Sequence, residues 1–351
     1  MSCCVAVIGA GPAGSVFASV AAAAGMQVIL LDPLKPRRAP IGESLAAPAV
    51  LILRNAGFVP SGAHGALGGT ISLWAGTNVA QDALGEPFGA GLRLDRARFD
   101  AELRNWALSR GVRLERDRLR TVTRDEAGGF LLGFAGRKPI RARYLVDASG
   151  RAAFVARRLG SRRRTLARLF CVHGRVAAAN GRSTRALVES VRDGWWYAVA
   201  LPSGLMLAAF HTDAGTAKRL EASPGAWLEE LRSTRLIAPL FQIQALVDNC
   251  LAVADASSTR LDRGQGAGWI AIGDAAGSFD PISSHGLFSA IRDGLDAATA
   301  LLAEMAGVDS GLREFERARA ERHLFVERQS RALYRQEIQW ADASFWALRH
   351  C

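Results

Sequence analysis

Gly9, Gly11 and Gly14 stand in G-x-G-x-x-G spacing inside V-A-V-I-G-A-G-P-A-G (Val5–Gly14), and an acid, Asp32, follows further along. Residues of these types at this spacing hold a dinucleotide by its backbone-facing parts. Gly9 permits a tight turn, Gly11 lets the main chain approach a pyrophosphate, and Gly14 lets a helix pack close to the preceding strand. The helix start at Pro12-Ala13-Gly14 offers N–H donors and a positive dipole to the phosphates. Asp32, about 20 residues beyond the glycines, is placed to bond ribose hydroxyls.

Two later segments narrow the ligand. Tyr144–Arg151 reads Y-L-V-D-A-S-G-R and carries Asp147 and Gly150. Trp269–Gly286 reads W-I-A-I-G-D-A-A-G-S-F-D-P-I-S-S-H-G and carries Gly273 and Asp274. The first segment alone says only dinucleotide; the three in this order say FAD. Reduced flavin is an anion delocalised toward one edge of its ring. The loop Pro281–Gly286 leads into a helix from about Leu287, so its N–H groups and dipole can face that edge. Pro281 would shape the pocket beside the ring, with Ser284 and His285 in its wall. His285 is also a candidate acid or base, against the plainer reading of a hydrogen-bonded loop histidine.

The elements that must position these residues are legible in outline. Cys4–Ile8 and Val28–Leu31 are short apolar runs that fit strands buried on both faces, with a small-residue helix from about Pro12 to Ala24 between them. The pattern predicts helices over 47–56 and 94–110, the latter with Phe99, Leu103, Trp106 and Ala107 on one face. It predicts a hairpin from Phe130–Ala135 and Lys138–Ala142, then a separate strand Tyr144–Val146. Four antiparallel strands are expected over Phe170–Val176, Arg185–Ser190, Trp195–Leu201 and Leu205–His211, with turns at Asp193-Gly194 and Pro202-Ser203-Gly204. Helices are expected over 217–233, 286–306 and 311–340. The fold class is therefore α/β: an FAD-binding Rossmann-like domain (1–65, 92–167 and 255–351, with the C-terminal helices) interleaved with a mostly antiparallel β substrate domain (66–91 and 168–254).

The 351 residues suffice for a full core. No apolar run reaches the ~20 residues of a membrane span, and the N-terminal apolar stretch carries the glycine motif in place of a basic leader, so a cytoplasmic location is expected. Five scattered cysteines fit reduced thiols, and the isolated histidines give no metal-ligand spacing, so no metal is assigned. Net charge is +11. Arg157, Arg158, Arg162, Arg163, Arg164 and Arg168 form a dense cluster, either a patch for an acidic protein, peptide or phosphorylated carrier, or a solvated loop. No recognition pattern for nucleic acid accompanies the charge.

The three segments and the interruption resemble the FAD-dependent aromatic hydroxylases with the para-hydroxybenzoate hydroxylase fold. Arg96-Ala97-Arg98-Phe99-Asp100 is similar to that family's R-x-x-(L/F)-D helix start, and D-A-S-G-R (147–151) to its second motif, departing from the usual G-D-G form. The resemblance implies that Asp274 bonds the ribityl or ribose part of FAD, and that Arg96, Asp147, Gly150 and Gly273 belong to the cofactor site. I-G-E-S (41–44), S-L-W-A-G (72–76), G-W-W-Y-A-V-A-L-P (194–202) and D-P-I-S-S-H-G-L (280–287) resemble the branch holding tryptophan halogenases and the maturation flavoproteins of tryptophylquinone enzymes. Glu43 and Ser44 are thereby placed near the flavin, against the alternative of a capping carboxylate.

Hydroxylation of an indole or phenol through a flavin C4a-hydroperoxide is the leading expectation, with a dry cavity excluding water. The substrate would be a free aromatic metabolite, a carrier-bound group or a side chain in a peptide or protein. Electrons would come from NAD(P)H or a separate flavin reductase. Halogenation is the sharp alternative. The tryptophan-type halogenases need a lysine some tens of residues after the G-E-S motif; here Lys35 precedes the motif and the next lysine is Lys138. A flavin-dependent reductase and a non-catalytic maturation flavoprotein are the remaining alternatives. Trp74, Trp195, Trp196 and Tyr197 are candidates for an aromatic pocket, but strand alternation turns Trp196 away from its neighbours.

Overall fold

A computed structural model describes residues 2–34, 41–83, 87–179, 183–308 and 310–350. Its main parallel sheet runs in the order Trp269–Ala271, Ile140–Asp147, Ser2–Ile8, Val28–Leu31, Arg113–Glu115. Val5, Val7, Val28 and Leu30 face one core, against the helices Pro12–Ala23 and Gly286–Met305. Ala6, Ile8, Ile29 and Leu31 face a second core with Phe130, Leu145 and Trp269. Burial on both faces explains why these strands read as continuous apolar runs. The two helices approach closely because Gly294 lacks a side chain: a Cβ there would stand 2.7 Å from the Ala13 carbonyl oxygen.

The second large sheet is antiparallel over Phe170–Ala178, Met206–Thr212, Gly194–Ala200 and Arg185–Val191, and Gly69–Trp74 joins it in parallel. One face carries Val172, Trp196, Ala208 and Phe210 and packs on Trp227, Leu231 and Phe241. The other carries Cys171, Trp195 and Tyr197 and turns toward Ile41, Ile282 and the C-terminal aromatics Tyr334, Phe345 and Trp346. Period-two alternation thus sends Trp196 to one side and Trp195 and Tyr197 to the other.

Several elements differ from the sequence expectation. The hairpin's second arm and the strand at Tyr144–Val146 are one strand, Ile140–Asp147. Its first half alternates buried and exposed residues where it pairs antiparallel with Phe130–Gly133, and its second half is buried where it joins the parallel sheet. The expected helix over 217–233 is two, Ala214–Glu221 and Pro224–Arg232. Pro224 has no N–H to continue the first helix and instead starts the second. The long helix ends at Gln336, short of Trp340. There the Glu337 carboxylate accepts from the Ala75 N–H, the Gln339 N–H and the Ser190 hydroxyl, which turns the chain out of the helix. A further short helix, Ser344–His350, follows. The arginine cluster is not a loop throughout: Arg163–Ala167 is a strand paired with Ser258–Leu261.

Candidate active site

The glycine turn is built as its spacing requires. Gly9 sits at φ +109°, and a Cβ there would meet the Ala148 carbonyl oxygen at 2.2 Å. A Cβ on Gly14 would lie 2.0 Å from the Gly9 oxygen, so the helix can rest on the turn only with glycine at that position. Gly11 differs: nothing lies within 4 Å of where its Cβ would be. Its missing side chain opens space outside the turn, beside the helix N-terminus where Ala13 and Gly14 stand. The Asp32 carboxylate accepts from the Ala10 N–H at 2.9 Å and from the Leu34 N–H at 2.8 Å. It is only partly buried, so lone pairs remain for a ligand's hydroxyls.

The second and third motifs come together behind this turn. Gly273 packs on Ala13, and its N–H donates to the buried Asp293 carboxylate at 3.0 Å. The Asp274 side chain is 42% exposed and lies 3.8 Å from the Arg151 guanidinium. Gly150, at φ +66°, also faces open space. Asp147 requires a correction. It is fully buried, and its carboxylate accepts from the Ser149 N–H and hydroxyl and the Ala156 N–H. Both oxygens are engaged inside the protein, so Asp147 holds the turn that presents Gly150 and does not itself face a ligand.

The I-G-E-S segment is tied down by Arg96, whose guanidinium donates to the Ile41 and Gly42 carbonyls and bonds Asp100. Arg96 Nε is buried with no partner among the described residues. Glu43 is 6% exposed and accepts from the Gly42 N–H at 2.8 Å. Burial pushes its carboxyl up to about 7, with Arg96 offsetting part of that rise. The Ser44 and Tyr197 hydroxyls lie 2.5 Å apart, linking this segment to the antiparallel sheet. Burial, with the Glu43 charge, pushes both the Tyr197 phenol and the Cys171 thiol up.

Opposite stands the Pro281 loop. Asp280 caps it by accepting from the Ile282 N–H, and Pro281 starts its single turn. Ser284, exposed and at φ +53°, ends that turn. His285 Nδ1 lies 2.5 Å from the Ser283 carbonyl. A carbonyl can only accept, so Nδ1 carries a proton in this contact. The helix then begins at Gly286 and Leu287, and a Cβ on Gly286 would enter open space.

Sequence reasoning missed what anchors this loop. Tyr334 Oη accepts from Trp195 Nε1 at 3.0 Å and donates to the Asp280 carboxylate at 3.0 Å. Burial pushes Asp280 up to about 6, partly offset by the donors it accepts from. Trp195 in turn stacks flat on His211, ring centroids 3.7 Å apart. His211 Nδ1 is buried without a partner among the described residues, and burial pushes the imidazole down to about 3, so it is neutral. Asp280 and Tyr334 lie 54 residues apart in the chain. No spacing rule joins them; the aspartate preceding Pro281 was the only local sign.

The residues present fit FAD. Three glycines (Gly11, Gly150, Gly286) leave open space, Asp32 offers acceptors to a ribose, the helix from Pro12 presents its N-terminus beside Gly11, and Arg96 Nε is an unused donor. Among the described residues no group of histidine, cysteine or carboxylate side chains could hold a metal, and no helix is long and apolar enough to cross a membrane.

Comparison with known proteins agrees with this geometry. Residues 2–331 match a family described as an FAD-binding domain. LodB of Marinomonas mediterranea, whose name assigns it to the FAD-dependent oxidoreductases, is 29% identical over 98% of this chain and 96% of its own. A 1H-pyrrole-2-carbonyl-[peptidyl-carrier protein] brominase of Pseudoalteromonas luteoviolacea is 25% identical over 87% of this chain and 78% of its own. Among solved structures, the peptidyl tryptophan dihydroxylase QhpG superposes with a TM-score of 0.81 at 25% identity, covering 100% of this chain and 79% of that one. The flavin-dependent halogenase CmlS shares the fold, with a TM-score of 0.89 at 20% identity over 99% of this chain and 68% of that one.

Proposed function

Because the chain belongs to the FAD-binding-domain family and is an FAD-dependent oxidoreductase, we propose that it is a monooxygenase hydroxylating an indole- or phenol-type ring borne on a polypeptide or carrier. Bound FAD supplies the redox chemistry, activating O2 once reduced. The chain's own residues bind, orient and exclude water. Gly11 and Asp32 would hold the dinucleotide, and the Pro281 loop with the first N–H groups of the helix from Gly286 would stabilise negative charge on the reduced ring. Trp195 and Tyr197 lie on the sheet face that turns toward Ile41 and Ile282, Trp195 buried against Tyr334 and Tyr197 bonded to Ser44. His285 would take a proton from the substrate ring, and Glu43, buried with its carboxyl pushed up to about 7, would be a second proton carrier.

The observation that carries hydroxylation over halogenation is the placement of the lysines. The chain has three. Lys138 is exposed on a hairpin turn, and Lys218 belongs to a helix whose buried residues, Ala217 and Leu220, pack on the far face of the antiparallel sheet. Lys35 precedes the G-E-S segment and lies outside the described residues. None provides the lysine that follows this motif in tryptophan-type halogenases. The polypeptide-borne substrate draws support from the likeness to QhpG and to the carrier-protein brominase.

Halogenation is the second reading, favoured by that brominase. Mass analysis separates the two. Reduced holoprotein is mixed with O2 and a free indole, a tryptophan-containing peptide or a carrier-bound pyrrole, with and without bromide. Gain of one oxygen regardless of bromide supports hydroxylation; gain of bromine overturns it.

A further inference from the structure

The long helix Gly311–Gln336 carries a pattern that the site does not use. Arg313, Arg317, Leu324, Arg328, Arg331 and Arg335 recur at helical spacing and are all exposed. Residues three, four or seven apart share one stripe, so five arginines line about 33 Å of a single helix edge. Such a row repels itself, and it raises the local potential for an anionic partner. Arg331 is paired with Glu327 at 2.7 Å.

On the neighbouring face of the same helix lies a cavity of about 210 Å3, bounded also by the strand Arg163–Ala167 and the C-terminal helix, and Arg331 is the member of the row that lines it. Its lining is mixed: Leu166, Phe279 and Leu348 are apolar, while Asp280, His323 and Glu327 are polar or acidic, Glu327 being paired with Arg331. Leu348 is 75% exposed although it lines the cavity, so the apolar lining reaches solvent. His323 is 2% exposed, stacks on Phe279 at 4.5 Å, and is pushed down to about 4 by burial and by Arg319 and Arg260. Arg349 also lines the cavity. Its guanidinium donates to the carbonyls of Phe345 and Arg168 and lies over the Phe345 ring, with no carboxylate bonded to it among the described residues. On the opposite bank, Arg164 and Arg168 are exposed. Arg163, by contrast, is turned inward onto the Arg151 and Asp274 carbonyls. The arginine cluster in the sequence thus divides: Arg163 is structural, Arg164 and Arg168 extend the charged rim, and Arg157 and Arg158 belong to the helix Phe154–Arg158.

We propose that this arginine-banked groove is the docking surface for an acidic segment of the polypeptide that bears the substrate, with one bulky apolar side chain of that segment seated in the cavity. By volume alone, about 210 Å3 exceeds the ~150 Å3 that holds benzene, and Leu166, Phe279, Val326 and Leu348 give an indole-sized ring its apolar contacts. Leucines at the mouth and an enclosed seat favour a protein over a nucleic acid, whose phosphates need only the charge. The floor residue Asp280 caps the Pro281 loop, so a docked segment lies against the back of the catalytic loop. This docking role rests on the reading that the substrate is polypeptide-borne. Binding is read here without turnover, so failure of docking and failure of hydroxylation are seen separately.

The test is fluorescence anisotropy on the FAD-loaded protein, using a short fluorescein-labelled peptide of glutamates around one central tryptophan. Its controls are the same peptide with alanine for tryptophan and an oligothymidylate of equal charge. Expected results are binding that weakens with salt and a loss of roughly tenfold in R331E/R335E and in R164E/R168E. L348A, which changes no charge, should weaken only the tryptophan peptide. FAD content and melting temperature serve as folding controls, and glutamine versions of the same pairs give intermediate losses if charge is the cause. Wild-type affinity in both reversal variants overturns the proposal. So does equal binding of the alanine peptide, or tighter binding of the oligothymidylate.

Discussion

Tyr334→Phe removes one oxygen from a buried junction and leaves the ring in place. That oxygen accepts from Trp195 Nε1 and donates to Asp280, and all three residues are less than a tenth exposed. An unsatisfied buried donor costs about 1–3 kcal/mol, and a hydrogen bond to a charged group contributes about 1.5–3 kcal/mol. Asp280 lines the cavity, so water can replace the phenol there, whereas Trp195 is 1% exposed and loses its acceptor outright. The net loss is about 2 kcal/mol. With an unfolding entropy of about 2.1 cal/mol/K per residue, that is about 3 °C in melting temperature for a chain this long. The loss depends on pH. Asp280 is raised from 3.8 to about 6 by burial, so the stability contributed by its neutral form is present below pH 3.8 and lost as pH rises through 6. Removing a donor to the carboxylate raises that pKa further, so the variant suffers more where Asp280 is ionised. Thermal melts of FAD-loaded wild type and variant at about pH 5 and about pH 8 check this. A gap equal at the two pH values, or below about 1 °C at the higher one, refutes the reasoning.

Gly11→Val should lower FAD affinity by roughly 100-fold, because its side chain enters the space left for the pyrophosphate. It should leave the melting temperature of the FAD-free protein unchanged, since nothing lies within 4 Å of the new Cβ. Flavin fluorescence titration and melts read the two effects. Glu43→Gln should abolish an ionisation near pH 7 in the kcat/KM profile of the holoenzyme. Wild-type stability falls as pH rises from 4.5 through about 7, when the buried carboxyl must ionise, and the Gln variant should lack that fall in melts across the same window. Trp196→Ala should cost about 3–5 kcal/mol in urea unfolding. It should leave KM for substrate unchanged, because the Trp196 ring packs on Trp227 behind the sheet.

The glycine turn was legible because its chemistry is local. Gly9, Gly14 and Asp32 act through a turn, a close approach and a hydrogen bond set by short spacings, and the Trp195–Trp196 alternation follows from the pleat alone. Element boundaries were lost where one residue outweighs a pattern: Pro224 splits an apparently continuous helix, and Glu337 ends another by bonding segments far away in sequence. Asp147 shows the converse, a motif acid whose type suggested a ligand contact while burial assigned it to the turn. The Asp280–Tyr334–Trp195 junction was invisible because its members come from three elements that only the finished fold brings together.

The central claim is oxygen transfer to an aromatic ring. The most direct measurement supplies the reduced holoprotein with isotopically heavy O2, bromide and a tryptophan-containing acidic peptide, and reads the product by mass spectrometry. The account predicts one heavy oxygen on the indole and no bromine. Bromine on the ring, or oxygen drawn from water, contradicts it.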